Sequence, residues 1–352
     1  MLFILLGVAF LTLLERNYLG FSQLRISPNK RIYLGLLQPV LDGLKLLSKI
    51  NLVPDRGYAL YFFLSPLIFF IFLFLEWQVI PYLFCPHRIR KRLLFLLTLV
   101  GALVYFLLLS GLMRVRKYGI LGSLRGSRQS ISFELVFFFI LFIIMIIYRM
   151  FSLSQEFFFI KIFFLLPLIF LLILTELGRA PVDFIERERE LVSGYNVEFG
   201  RVLFVLLFLS EYGFLIFFSI LLRVIFFSSN VLINYLIISV ILLIRSTYPR
   251  GKFDHLMGLY WYTLLPFSMW ILLVLYIAVV EGICNVLQLS LYIEICFLVY
   301  YKILITSYIE ENYPNLSFLT VVKQSISGKT NYRYFLFLYF LLIYNIIVYF
   351  CF

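Results

Sequence analysis

Residues 175–199 read TELGRAPVDFIERERELVSGYNVEF, and they hold six of the chain's 18 acidic residues: Glu176, Asp183, Glu186, Glu188, Glu190 and Glu198. Long apolar runs flank them at 157–174 and 202–227. Carboxylates beside hydrocarbon are costly, so an acid-dense hinge between two bilayer-length segments is poorly explained by anchoring alone. Pro181 cannot continue a helix from Ala180, so the apolar helix is expected to end by about there and a short new one to begin. Asp183 then falls in the first turn of that helix, where the positive dipole end favours an anion. If 183–190 is helical, Asp183, Glu186 and Glu190 share one face, while Arg187 and Arg189 point elsewhere. Several carboxylates on one face cannot all ionise freely; some gain proton affinity, and such a row is able to carry protons. The plainer reading stands beside it: a salt-bridged surface loop with Arg179–Asp183 and Asp183–Arg187 at i,i+4 spacing.

The composition excludes soluble classes. Of 352 residues, 63% are hydrophobic and 14% charged, with a mean hydropathy of +1.03. Such usage belongs to a polytopic membrane protein. Cys85, Cys284, Cys296 and Cys351 show no C-x-x-C spacing, and the two histidines, His87 and His255, fall in expected loops. No bound metal, haem, flavin or iron–sulfur cluster is therefore expected in this chain, and electron chemistry must come from a partner. The net charge of +12 is distributed through short loops, as topology determinants are, so no nucleic-acid partner is expected. Met1 leads directly into an apolar run, as expected of a chain made without an import presequence.

Apolar runs of spanning length fall at about 1–21, 58–80, 93–113, 133–151, 157–176, 202–227, 230–245 and 263–281. Two further candidates lie near 286–309 and 333–352. Loops after the first, third, fifth and seventh runs carry 19 lysines and arginines, against 6 after the second, fourth and sixth. The odd loops are therefore expected to face the matrix or cytoplasm, with the N-terminus outside. The expected fold is all-α, a polytopic integral membrane protein. Residues 1–282 form its core, and 283–352 are a C-terminal extension with one or two additional transmembrane helices.

Several side chains stand out within this frame. Glu15 and Arg16 sit where the first run gives way to headgroups, able to snorkel or to pair with each other. Residues 34–50, LGLLQPVLDGLKLLSKI, intersperse Asp42, Lys45 and Lys49 among apolar positions and predict an interfacial amphipathic helix. Glu76, beside Trp77, reads as an interfacial carboxylate next to an aromatic-belt residue and is assigned no function. Glu134 is expected to open the fourth apolar helix, where a carboxylate satisfies the dipole. Glu211 lies well inside 202–227; an acid there needs a proton or a partner in the bundle, and is functional by default. Arg245 and Arg250 are always charged, suited to holding carboxylates ionised or orienting a polar headgroup, and equally to anchoring a loop.

The phrase ELGRAPVDFIERERELVSGYNVEF resembles the signature of the NADH dehydrogenase subunit 1 family, the membrane subunit of respiratory complex I that builds much of the ubiquinone tunnel. Arg187 and Arg189 stand where small residues are usual in that family. LERNYLGFSQLRISPN at 14–29, LQPVLDGLKL at 37–46, YGILGSLRGSRQSISFE at 118–134, SEY at 210–212 and RSTYPRGKFDHLM at 245–257 resemble further family blocks. The resemblance implies an eight-helix core and ubiquinone as substrate, entering from lipid past Glu15, Arg16, Arg25, Asp42 and Lys45, with Arg245 and Arg250 in the same quinone-binding set. It implies a relay of Glu134, Glu176, Asp183, Glu186, Glu188, Glu190 and Glu211 that feels the charge change of quinone reduction and passes it toward proton pumps. The implied partners are the quinone-site and terminal iron–sulfur subunits of the matrix arm, the antiporter-like subunits of the membrane arm, and the lipid bilayer. The implied location is the mitochondrial inner membrane, with a bacterial plasma membrane as the alternative. Two other functions stay open: a quinone-independent ion-translocating subunit of a related membrane-bound hydrogenase, and an ion or proton antiporter, for which the expected inverted repeats are not found.

Overall fold

The computed structural model describes residues 2–28, 35–49, 59–80, 91–112, 117–148, 165–179, 182–183, 199–227, 231–248 and 251–280. Among them every regular element is helical. In chain order these are α1 (Leu2–Ser22), α2 (Gln38–Ser48), α3 (Ala59–Trp77), α4 (Arg92–Leu112) and α5 (Lys117–Tyr148). They are followed by α6 (Leu166–Glu176), α7 (Arg201–Phe226), α8 (Val231–Thr247) and α9 (Phe253–Leu259); a π-helical turn, Tyr260–Leu264, then leads into α10 (Leu265–Val280). Six helical segments are long and apolar enough to cross a membrane, those of α1, α3, α4, α5, α7 and the continuous α9–α10; α6 and α8 are shorter and also apolar. Each of the eight core runs expected from hydropathy therefore coincides with a helix. The extension 283–352 and both of its candidate helices lie outside the described residues.

Helices in lipid gain little from hydrophobicity when they meet; close packing and hydrogen bonds hold them. The bundle shows both. Phe133, Phe137, Phe217 and Phe218 are fully buried, with Phe133 and Phe218 edge to face at 6.5 Å. Gly213 of α7 lies so close to Leu73 of α3 that a Cβ would meet its side chain at 2.6 Å. Gly111 of α4 lies equally tight against Ser123 of α5. Pro66 interrupts α3 without breaking it: the carbonyl of Phe62, which loses the N–H of residue 66, accepts from the Ser65 hydroxyl instead, at 3.4 Å.

α2 is the flat helix that its pattern predicts. It has no buried residue; Val40, Leu41, Leu44 and Leu47 are exposed along one side, and it packs on α1 and α7. α5 departs from expectation. Its 32 residues begin at Lys117, not near 133, so Glu134 lies mid-helix and does not open it. The polar positions that look loop-like, Ser123, Ser127 and Gln129, are buried against neighbouring helices, and both serine hydroxyls donate to carbonyls one turn back. At 1.5 Å per residue the helix is roughly 48 Å long, beyond the ~30 Å hydrocarbon layer, so one end must project from the membrane.

Candidate functional site

Two polar clusters lie within this apolar bundle. The first joins α1, α2, α7 and α8. Glu15 is 4% exposed, forms an ion pair with Arg245 in the last turn of α8, and accepts a hydrogen bond at 2.6 Å from the Tyr212 hydroxyl. One residue on, Arg16 points outward and binds Asp42 of α2 at 2.8 Å, while Gln38 donates to the other Asp42 oxygen at 3.0 Å. Glu15 and Arg16, neighbours of opposite charge, thus pair away from each other rather than together, because their side chains leave α1 in different directions. Arg25 and Lys45 are exposed nearby in sequence. Arg25 follows a tight turn in which Leu24 has φ +54° and the Arg25 N–H donates to the Gly20 carbonyl at 3.0 Å. The start of α7 is tied to the same region, since Arg201 donates to the Leu47 carbonyl at 2.9 Å.

The second cluster is a cavity of about 70 Å³ walled by α3, α4, α5, α6 and α7, with Gln129, Glu176, Arg179 and Glu211 among its polar lining and Phe69 and Phe214 among the apolar. α6 ends where the sequence requires. Glu176 is its last residue, and Gly178 follows with φ +54°, the left-handed conformation that closes helices before a proline. This termination exposes the Thr175 carbonyl, which accepts from Gln129 Nε2 at 2.6 Å, while the Thr175 hydroxyl meets the Tyr260 hydroxyl at 2.5 Å. Gln129 also reaches the Val182 carbonyl at 3.4 Å, so α5 braces the chain just past the α6 terminus. Val182 and Asp183 are buried and lie in no helix of their own, so Asp183 does not stand in a helical first turn. Glu134 sits in a notch: a Cβ on Gly101 of α4 would collide with its carboxylate. Arg179 joins the two clusters, its guanidinium 4.3 Å from the centre of the Tyr212 ring.

Among the described residues no group of three or more His, Cys, Asp or Glu side chains is arranged to hold a metal ion. A buried Glu–Arg pair thus lies beside an acid-lined cavity. The sequence matches the family described as NADH dehydrogenase over residues 1–276. The chain belongs to this family. Its relatives include proteins named NADH-ubiquinone oxidoreductase chain 1. That of Apis mellifera ligustica is 39% identical over 78% of this chain and 94% of the relative. Those of Artemia franciscana and Paracentrotus lividus are 36% and 38% identical, covering 92% and 88% of their own lengths.

In this chain Glu176 and Glu211 share the cavity, and Glu134 lies against Gly101 of α4. Glu15 and Arg245 meet each other, and Arg16 meets Asp42. Glu186, Glu188, Glu190 and Arg250 lie outside the described residues. One buried acid escaped the sequence reading. Glu76 is 0% exposed, enclosed by protein, and neither carboxylate oxygen has a hydrogen-bond partner among the described residues. Its neighbour Trp77 suggested a membrane surface, but Trp77 is itself buried against Phe217. An acid within an apolar run was the one signal available for Glu76. Tyr212 stood in the SEY block but nothing there named its partners, and Gly101 had no signal, since their roles depend on which helices lie beside them.

Proposed function

We propose that this chain is a core membrane subunit of a proton-translocating NADH:ubiquinone oxidoreductase, a multi-pass protein of the mitochondrial inner membrane. Family membership and the names of its relatives support this, and they do not favour a hydrogenase or antiporter. Ubiquinone enters past the α1–α2 cluster, Glu15, Arg16, Arg25, Asp42 and Lys45, with Arg245 and Arg250 balancing the charge there. Quinone-site and iron–sulfur subunits of the matrix arm supply electrons, and antiporter-like subunits of the membrane arm receive the relayed charge. Glu134, Glu176, Asp183, Glu186, Glu188, Glu190 and Glu211 form the acidic relay.

The observation that carries this proposal is the polar cavity inside the bundle. Its volume of about 70 Å³ exceeds the ~15 Å³ that one ordered water needs, and Glu176, Glu211 and Arg179 line it. Acids around a wet cavity at membrane depth are the requirement for moving protons or charge. Two unit charges ~8 Å apart interact by roughly 2 kcal/mol at an effective ε of ~20. A quinone anion formed at that range therefore suffices to change a carboxyl group's protonation. Glu211→Gln, which keeps the shape and removes the exchangeable proton, is expected to lower quinone-linked NADH oxidation in the assembled enzyme by about tenfold or more. Full coupled turnover in that variant would remove Glu211 from the relay.

A further inference from the structure

α7 presents three successive residues to three neighbours. Glu211 faces the cavity, Tyr212 reaches Glu15 of α1, and Gly213 meets Leu73 of α3. Tyr212 touches both polar clusters. Its hydroxyl donates to Glu15 Oε2 at 2.6 Å while the other oxygen of that carboxylate takes Arg245. Its ring, 4% exposed and backed by Phe208 at 4.7 Å, carries the Arg179 guanidinium at 4.3 Å, and Arg179 lines the cavity with Glu176 and Glu211. The hydroxyl and the ring face are rigidly joined, so a displacement of Glu15 tilts the surface on which Arg179 rests. A guanidinium over an aromatic face is held by the ring quadrupole and stays free to use its N–H groups elsewhere.

We propose that Tyr212 is a positioning residue that transmits the state of the Glu15–Arg245 pair at the quinone entrance to Arg179 at the acid-lined cavity. Occupation of the entrance by a quinone headgroup that competes for Arg245 or Glu15 shifts the carboxylate. The Tyr212 hydroxyl follows it, and the positive charge of Arg179 moves relative to Glu176 and Glu211. No proton need pass through Tyr212 itself; it moves a charge that sets where protons reside. This rests on the proposed roles of the two clusters and adds the link between them.

The two halves of the side chain are separable. Tyr212→Phe keeps the ring under Arg179 and removes the donor to Glu15; Tyr212→Leu removes both. In the assembled enzyme, Tyr212→Phe is expected to raise the ubiquinone KM about tenfold, as loss of one charge-assisted hydrogen bond does, with a smaller change in kcat. Tyr212→Leu is expected to show the same KM and, in addition, a lowered proton-to-electron ratio. The double variant Glu15→Gln/Tyr212→Phe is expected to be no worse than Glu15→Gln alone, because the two groups act as one unit. Additive losses in that pair overturn the proposal. So does a Tyr212→Leu enzyme with an intact proton-to-electron ratio, or an equal fall in NADH oxidation by a hydrophilic artificial acceptor, which reports assembly. Failure of the relay itself is read separately, from Glu211→Gln.

Discussion

Glu15 and Glu76 are both nearly inaccessible, yet their surroundings are opposite. Glu15 is answered by a guanidinium and a phenol; Glu76 has no hydrogen-bonding group among the described residues. Removing one partner of a buried ion pair leaves an uncompensated charge and is strongly destabilising, whereas replacing an unanswered polar group by an apolar one of similar size relieves a cost. Glu76→Leu is accordingly expected to stabilise the assembled enzyme by about 1–3 kcal/mol, seen as slower inactivation on heating. Faster inactivation would mean that the carboxyl has a partner beyond the described residues, in this chain or in another subunit. The sequence made Glu15 visible through its place in a recognisable block but not its partners, since Tyr212 lies 197 residues away and no local pattern links them. The burial of Glu76 was not legible, because a hydropathy run reports where a segment lies along the chain, not how deeply its end is enclosed by neighbouring helices.

At the level of elements, the α4–α5 pair shows how the acid proposed for the relay is seated. The two helices pack tightly, and Gly101 leaves the space that the Glu134 carboxylate occupies. In Gly101→Ala the added methyl displaces the end of a flexible side chain, not backbone, and alanine favours the helix by about 1 kcal/mol over glycine. Stability and assembly on native gels are expected to hold, while quinone-linked NADH oxidation falls by about tenfold from misplacement of the carboxylate. A Gly101→Ala enzyme with unaltered turnover would show that the position of Glu134 is immaterial. α2 was legible because its apolar positions recur at helical spacing between charges. The first half of α5 was not, because serines and Gln129 lower hydropathy wherever they point, and here they point inward. The end of α6 was legible to within a few residues, since Gly178 and Pro181 act on the backbone locally and need no tertiary context.

For the whole molecule, the eight helical core runs and their order followed from hydropathy, and the family resemblance is borne out over residues 1–276. The charge count assigns a side to each loop, and that assignment is open to a direct check. A protease site inserted after Gly251 is expected to be cut only from the matrix side, and one inserted within 81–90 only from the intermembrane side. The reverse pattern would invert the topology and place the proposed quinone entrance on the wrong face. The Glu15–Tyr212–Arg245 knot also bears on how the protein is made. The ribosome releases α1 first, and the phenol that will answer its acid follows 197 residues later. At about 5–20 residues per second that is a delay of roughly ten to forty seconds. During that interval the nascent chain holds a carboxyl in or beside lipid with its eventual mates still unborn, so a stalled or truncated product ending before α7 carries a standing mark of incompleteness for the insertion machinery and its proteases to recognise.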